Sequence, residues 1–195
     1  MPEQEPSLQR YHIDKVADPI PHSRWVKRGP DSSELGHPVP ISFVLARSGQ
    51  ASLGITGFLA YSNGFRFAAH AALREPADGA RLSREVAAQN WVLLPGGERT
   101  PMSGLFLLRL HFSDHRAIDN SGTLTQGEDI VRSLNMLGGS GGGTWWNWDW
   151  FVAPLPPRGA ITFECEWPQF GLEGKCEIGA AQILSAAKKS QRFFA

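Results

Sequence analysis

Apolar and polar residues alternate along much of this chain with the period of a strand, which sends successive side chains to opposite faces. Leu105–Phe112 is the strongest run. There Phe106, Leu108, Leu110 and Phe112 share one face, and Leu105, Leu107, Arg109 and His111 share the other. Ile41, Phe43 and Leu45 alternate with Ser42, Val44 and Ala46, and Leu53, Ile55, Gly57, Leu59 and Tyr61 fall on one face of a second run. Asn63-Gly64 predicts a hairpin turn into a third strand carrying Phe65, Phe67, Ala69 and Ala71. A loop at Pro76–Gly79, a short helix at Arg81–Gln89, a strand at Trp91–Leu94 and a turn at Pro95–Gly97 follow. Residues 113–144 lack periodicity and read as loop, with a short helical turn at Asp129–Leu137. Strands resume at Trp146–Val152, Ala160–Trp167 and Lys175–Ile178. The last element is a helix over Ala180–Lys189, with Ile183, Leu184 and Ala187 as its apolar stripe. Short strands separated by Gly/Pro turns, without strand–helix–strand alternation, predict a mainly β fold: an antiparallel β-sandwich with a short C-terminal α-helix.

The densest stretch runs from Gly138 to Pro168 and holds five of the seven tryptophans. A glycine run (Gly138–Gly143) leads into Trp145-Trp146-Asn147-Trp148-Asp149-Trp150. Parity divides this strand: Trp146, Trp148, Trp150 and Val152 share one face, while Trp145, Asn147, Asp149 and Phe151 share the other. Polar residues on the alternate face mark a half-buried strand, so the three tryptophans are expected in the core rather than on a stacking platform. In the next strand Phe163, Cys165 and Trp167 are expected inward. Glu164 and Glu166 lie outward, spaced as catalytic carboxylates can be and read here as the solvated face of an edge strand. The glycine run lacks the Gly-Lys-Ser/Thr ending of a phosphate loop and reads as a flexible loop.

Composition narrows the function classes. Nineteen basic and nineteen acidic residues give formal neutrality, which argues against nucleic acid as a partner and leaves self-association easy. No apolar run is long enough to cross a bilayer, and the acidic start Met1–Pro6 is not a secretory signal, so a cytoplasmic protein with no membrane partner is expected. Cys165 and Cys176 lack CxxC spacing and are expected as buried thiols. Residues 1–36, rich in proline and charge, read as an extended or partly disordered N-terminal arm. Residues 37–195 read as the sandwich domain, with its helix at 180–189.

Two constellations bear on chemistry. His111, Asp114 and His115 place two imidazoles and a carboxylate at the end of a strand, where a turn could gather them, and His70 could add a third metal ligand. Tyr11, Ile13 and Trp25 are among the apolar residues scattered along the arm and could order on a partner protein.

The tract Asp149–Gly159 (Asp-Trp-Phe-Val-Ala-Pro-Leu-Pro-Pro-Arg-Gly), followed by Phe163–Leu172 with its Cys-Glu-Trp-Pro core, resembles the C-terminal signature of a group of uncharacterised actinobacterial proteins. The likeness covers about residues 136–190, although Thr144–Trp150 is richer in tryptophan than that pattern. It implies a bacterial, cytoplasmic, β-rich protein and brings no site residues. The leading expectation is therefore a non-catalytic protein-binding or accessory β-sandwich without a cofactor, oligomeric or part of a larger complex. One alternative is a metal-dependent hydrolase using His111, Asp114 and His115, with His70, His111 and His115 as ligands. The other is a carbohydrate-binding module using exposed tryptophan.

Overall fold

Two antiparallel sheets face each other across an aromatic core. The computed structural model describes residues 29–78, 82, 86, 91–93, 99–101, 106–120 and 132–194. Its strands are β1 (Glu34–Leu35), β2 (His37–Pro38), β3 (Phe43–Arg47), β4 (Ala51–Tyr61), β5 (Gly64–Leu73), β6 (Trp91–Leu93) and β7 (Arg99–Pro101). Then come β8 (Leu107–Phe112), β9 (Ala117–Asp119), β10 (Ser133–Gly142), β11 (Trp145–Ala153), β12 (Ala160–Trp167), β13 (Leu172–Gly179), helix α1 (Ala180–Ala187) and β14 (Gln191–Arg192). The first sheet has the order β10-β11-β5-β4, with β2 and β3 sharing the far edge of β4. The second has the order β13-β12-β8-β9, and β1 with β14 forms a separate two-stranded ribbon. No helix among the described residues is long and apolar enough to cross a membrane.

The core is built from the inward faces that the alternation marks. Phe106, Leu108, Leu110 and Phe112 are buried, as are Trp146, Trp148, Trp150 and Val152, and Phe163, Cys165 and Trp167. Phe163 of the second sheet lies 5.5, 6.0 and 5.2 Å from the rings of Phe43, Phe58 and Phe67 in the first, edge-on to each. Trp148 and Trp167 meet across the sheets at 5.9 Å, with Phe106 at 6.2 and 5.0 Å from them. Helix α1 adds buried Ala180, Ile183, Ala186 and Ala187 to the same core. The Nε1–H groups of Trp150 and Trp167 have no hydrogen-bond partner among the described residues. Burying an indole removes about 150–250 Å² from water, worth about 4–6 kcal/mol. That outweighs the roughly 1–3 kcal/mol cost of an orphaned donor.

Several elements differ from the sequence expectation. The alternation in β4 breaks at Gly57, whose φ of +64° places a bulge between Thr56 and Leu59. Phe58 and Ala60 then enter the core, while Leu59 and Tyr61 turn to the outer face, where Tyr61 packs on Phe151 at 6.0 Å. The glycine run is not a loop, and the expected helical turn is not formed over 133–137: both lie in β10, paired along β11. Sequence periodicity is silent there because glycine has no side chain to bury; the tryptophan strand next to it supplies the surface. A Cβ on Gly139 would come 2.6 Å from Trp148 Cδ1 and 3.1 Å from the Asn147 carbonyl oxygen, so the bare backbone lets the ring lie over it. Strand β12 is central rather than an edge, lying between β13 and β8. Glu34–Leu35, at the end of the expected arm, is strand paired with β14. Of the expected helix at 81–89, Leu82 and Val86 are helical and buried, and the remainder lies outside the described residues. Both cysteines are free thiols; burial pushes the pKa of Cys165 to about 12, and Cys176 is only half-buried. Cys165 faces Gly174 while Cys176 faces Phe163. The two cysteines are thus diagonal neighbours about 7–8 Å apart, beyond the Cα separation of up to about 6.8 Å usual for a disulfide.

The glycine run provides an internal comparison. Gly139→Ala is expected to cost about 1–3 kcal/mol in urea unfolding. Gly138→Ala, whose Cβ meets nothing within 4 Å, should stay within about 0.5 kcal/mol of the parent. Equal effects at the two positions would refute the close approach of Trp148 to β10.

Candidate functional site

The outer face of the second sheet carries the densest polar chemistry. Strand register sets Asp119, Arg109, Glu164 and Lys175 side by side across β9, β8, β12 and β13, an alternation of charge perpendicular to the strands. Arg109 lies 3.9 Å from Asp119 and 3.8 Å from Glu164. His111 Nε2 lies 2.6 Å from Glu164 Oε2, and since a carboxylate only accepts, Nε2 carries the proton. That hydrogen bond, with the charges of His111, Lys175 and Arg109, holds the Glu164 carboxyl below its ordinary range against the opposing effect of burial. An imidazole oriented by a carboxylate is a general-base pairing. It stands on an open sheet face, however, and Ser113, the hydroxyl two residues on, donates to the Arg158 carbonyl at 2.7 Å.

The other expected ligands are placed elsewhere. Asp114 accepts from Arg132 at 2.7 Å, and that guanidinium lies 4.8 Å over the Phe112 ring. Burial pulls the Asp114 carboxyl upward, but the Arg132 hydrogen bond and the charges of Arg132 and Arg116 outweigh it and hold the group low. His115 is exposed in the β8–β9 turn at φ +63°, with its N–H donating to the Phe112 carbonyl at 3.0 Å. His70 projects from the outer face of the first sheet, because its neighbours Ala69 and Ala71 point into the core. The structure therefore brings His111 and Glu164 together and sets His70 on the opposite side of the sandwich from His111.

On its own face His70 bonds Thr56 Oγ1 at 2.7 Å and stands opposite Asn147, with the Trp145 ring 6.1 Å away. Trp145 is 50% exposed, whereas the three tryptophans of the inward face are buried. Farther along the same face Arg66 and Asp149 pair at 2.9 Å.

A different surface emerges at the ribbon. Leu35 on β1 faces Gln191 on β14, and Phe193 donates its N–H to the Ser33 carbonyl at 2.9 Å, so Leu35 and Phe193 share one side of the ribbon. They are 55% and 57% exposed, and Phe194 is 82% exposed. On the other side Glu34 is buried, its carboxylate accepting the Ser62 N–H at 2.9 Å, which ties the ribbon to the β4–β5 turn. Sequence periodicity passes over these residues because each sits alone or paired in a polar stretch. The sign available was two adjacent phenylalanines following Gln191-Arg192. Tyr11, Ile13 and Trp25, the expected partner-binding residues, lie outside the described residues.

The His111–Glu164 pair has a pH signature. Glu164 is depressed below its ordinary value of 4.5 in the folded state, so its stabilisation is full above that pH and is lost as pH falls through the folded value. Glu164→Gln should lower stability at neutral pH by up to about 1 kcal/mol. The gap to the parent should close on acidification, read as urea midpoints against pH. A gap independent of pH would show that the pair contributes nothing through ionisation.

Compared with known proteins, the chain matches no family model, no curated protein and no solved structure.

Proposed function

We propose that this chain is a non-catalytic, protein-binding β-sandwich, an accessory module that docks another polypeptide through the end of the sandwich bearing the β1–β14 ribbon. The carrying observation is the exposure of Leu35 and Phe193 on one side of that ribbon, with exposed Phe194 next in the chain. Large apolar side chains held in water on neighbouring strands lose the free energy that burial would return, and partner surfaces recover it. Phenylalanine on a short, narrow ribbon is also an anchor that a partner pocket can enclose at little entropic cost. Formal neutrality permits close approach of a second polypeptide without long-range repulsion.

The test is a photo-crosslinking phenylalanine analogue placed at Phe193 in the native cell. One dominant polypeptide adduct, absent when the probe replaces the distant Trp145, is expected. No adduct from Phe193 or Phe194, together with stoichiometric transition metal lost on His111→Ala, would replace this reading by the metal-dependent hydrolase.

A second reading, carbohydrate binding, has one observation in its favour: half-exposed Trp145 beside His70 and Asn147 on a flat sheet face. It requires glycan binding abolished by Trp145→Ala with the urea midpoint essentially unchanged. Glycan binding that survives the substitution would discard it.

A further inference from the structure

A groove of about 800 Å³ runs along the outside of α1 at the ribbon end of the sandwich. Its floor is apolar, from Leu155, Ala181, Leu184 and Ala187, and its two cations are Arg158 and Lys188. No carboxylate lines it among the described residues. Glu34, which bonds Ser62 on the groove wall, is buried and engaged by that backbone N–H. The imbalance extends beyond the lining: residues 180–195 carry Lys188, Lys189 and Arg192 and no acidic residue, in a chain that is neutral as a whole.

The cations stand at opposite ends. Gly159, next to Arg158, accepts the Ala180 N–H at 2.8 Å, so Arg158 belongs to the start of α1, while Lys188 caps its end. From Ala180 to Lys188 the helix rises about 12 Å, the span of about four residues of extended peptide. We infer that the groove is the docking site for a partner segment with one or two large apolar side chains set between carboxylates about four residues apart. The apolar side chains lie over Leu155 and Leu184, and the carboxylates meet Arg158 and Lys188. Both cations are exposed, so complementary charge gives the complex its specificity and a salt-dependent association rate. A concave floor suits a peptide better than a flat bilayer surface. This inference rests on the protein-binding reading and adds the chemistry of the partner.

The test is selection of peptides from a random displayed library on the full-length protein, followed by solution binding of each enriched peptide. Enriched sequences are expected to carry the acidic–apolar–acidic pattern and to bind more weakly as salt rises. Arg158→Glu with Lys188→Glu should weaken them at least about tenfold, with the urea midpoint unchanged. Phosphatidylserine vesicles should not bind. Enriched sequences without carboxylates, or affinity indifferent to the double reversal, overturns the inference. Vesicle binding lost on Phe193→Ser and Phe194→Ser overturns it too, by assigning this end to a membrane surface. If the peptides fail while the Phe193 crosslink persists, the acidic occupant alone is wrong; if both fail, the protein-binding reading falls with it.

Discussion

The structure depends on the meeting of Phe163 with Phe43, Phe58 and Phe67, which locks one sheet onto the other. These rings come from β3, β4, β5 and β12, so a single side chain gathers segments about a hundred residues away in sequence. Truncating a buried phenylalanine typically costs about 3–5 kcal/mol, a large share of the roughly 5–15 kcal/mol that holds a domain folded. The Trp148–Trp167–Phe106 group repeats the arrangement farther along the sandwich. Everything on the outer faces, including each candidate site, inherits its position from this aromatic seam.

The glycine run and the tryptophan strand are two halves of one device. Gly139 faces Trp148 and Gly141 faces Trp146 across the β10–β11 pairing, so the indoles occupy space that side chains on β10 would need. Trp146 and Trp148 stack at 6.4 Å above that bare strand. Glycine weakens a strand by its entropy, and the pairing with β11 and the cover of the rings offset that cost. The run is therefore a packing feature of the first sheet and not a ligand loop.

How much of the candidate sites was legible follows from what each one needs. His111 and Glu164 were both visible as outward positions on their strands, but their pairing requires the β8–β12 register, which joins residues separated by 53 positions. His70 and His111 looked combinable while sheet membership was unknown; assignment to different sheets sends them to opposite sides. The exposed Leu35, Phe193 and Phe194 were hidden because isolated apolar residues carry no period. Glu34 was hidden because burial of a carboxylate depends on the Ser62 N–H that donates to it.

By itself the sequence determined the class of fold, the strands with strong alternation and the inward direction of Trp146, Trp148, Trp150, Phe163, Cys165 and Trp167. These follow from local geometry, since adjacent residues in a strand must face opposite ways. Only the tertiary structure decided the switch of face at Gly57, the conversion of the glycine run into strand, and which charges and apolar side chains meet. Each of those is a property of a neighbour distant in the chain: a bulge set by the pairing of β4 with β5, an indole over a glycine, a guanidinium beside a carboxylate on the next strand.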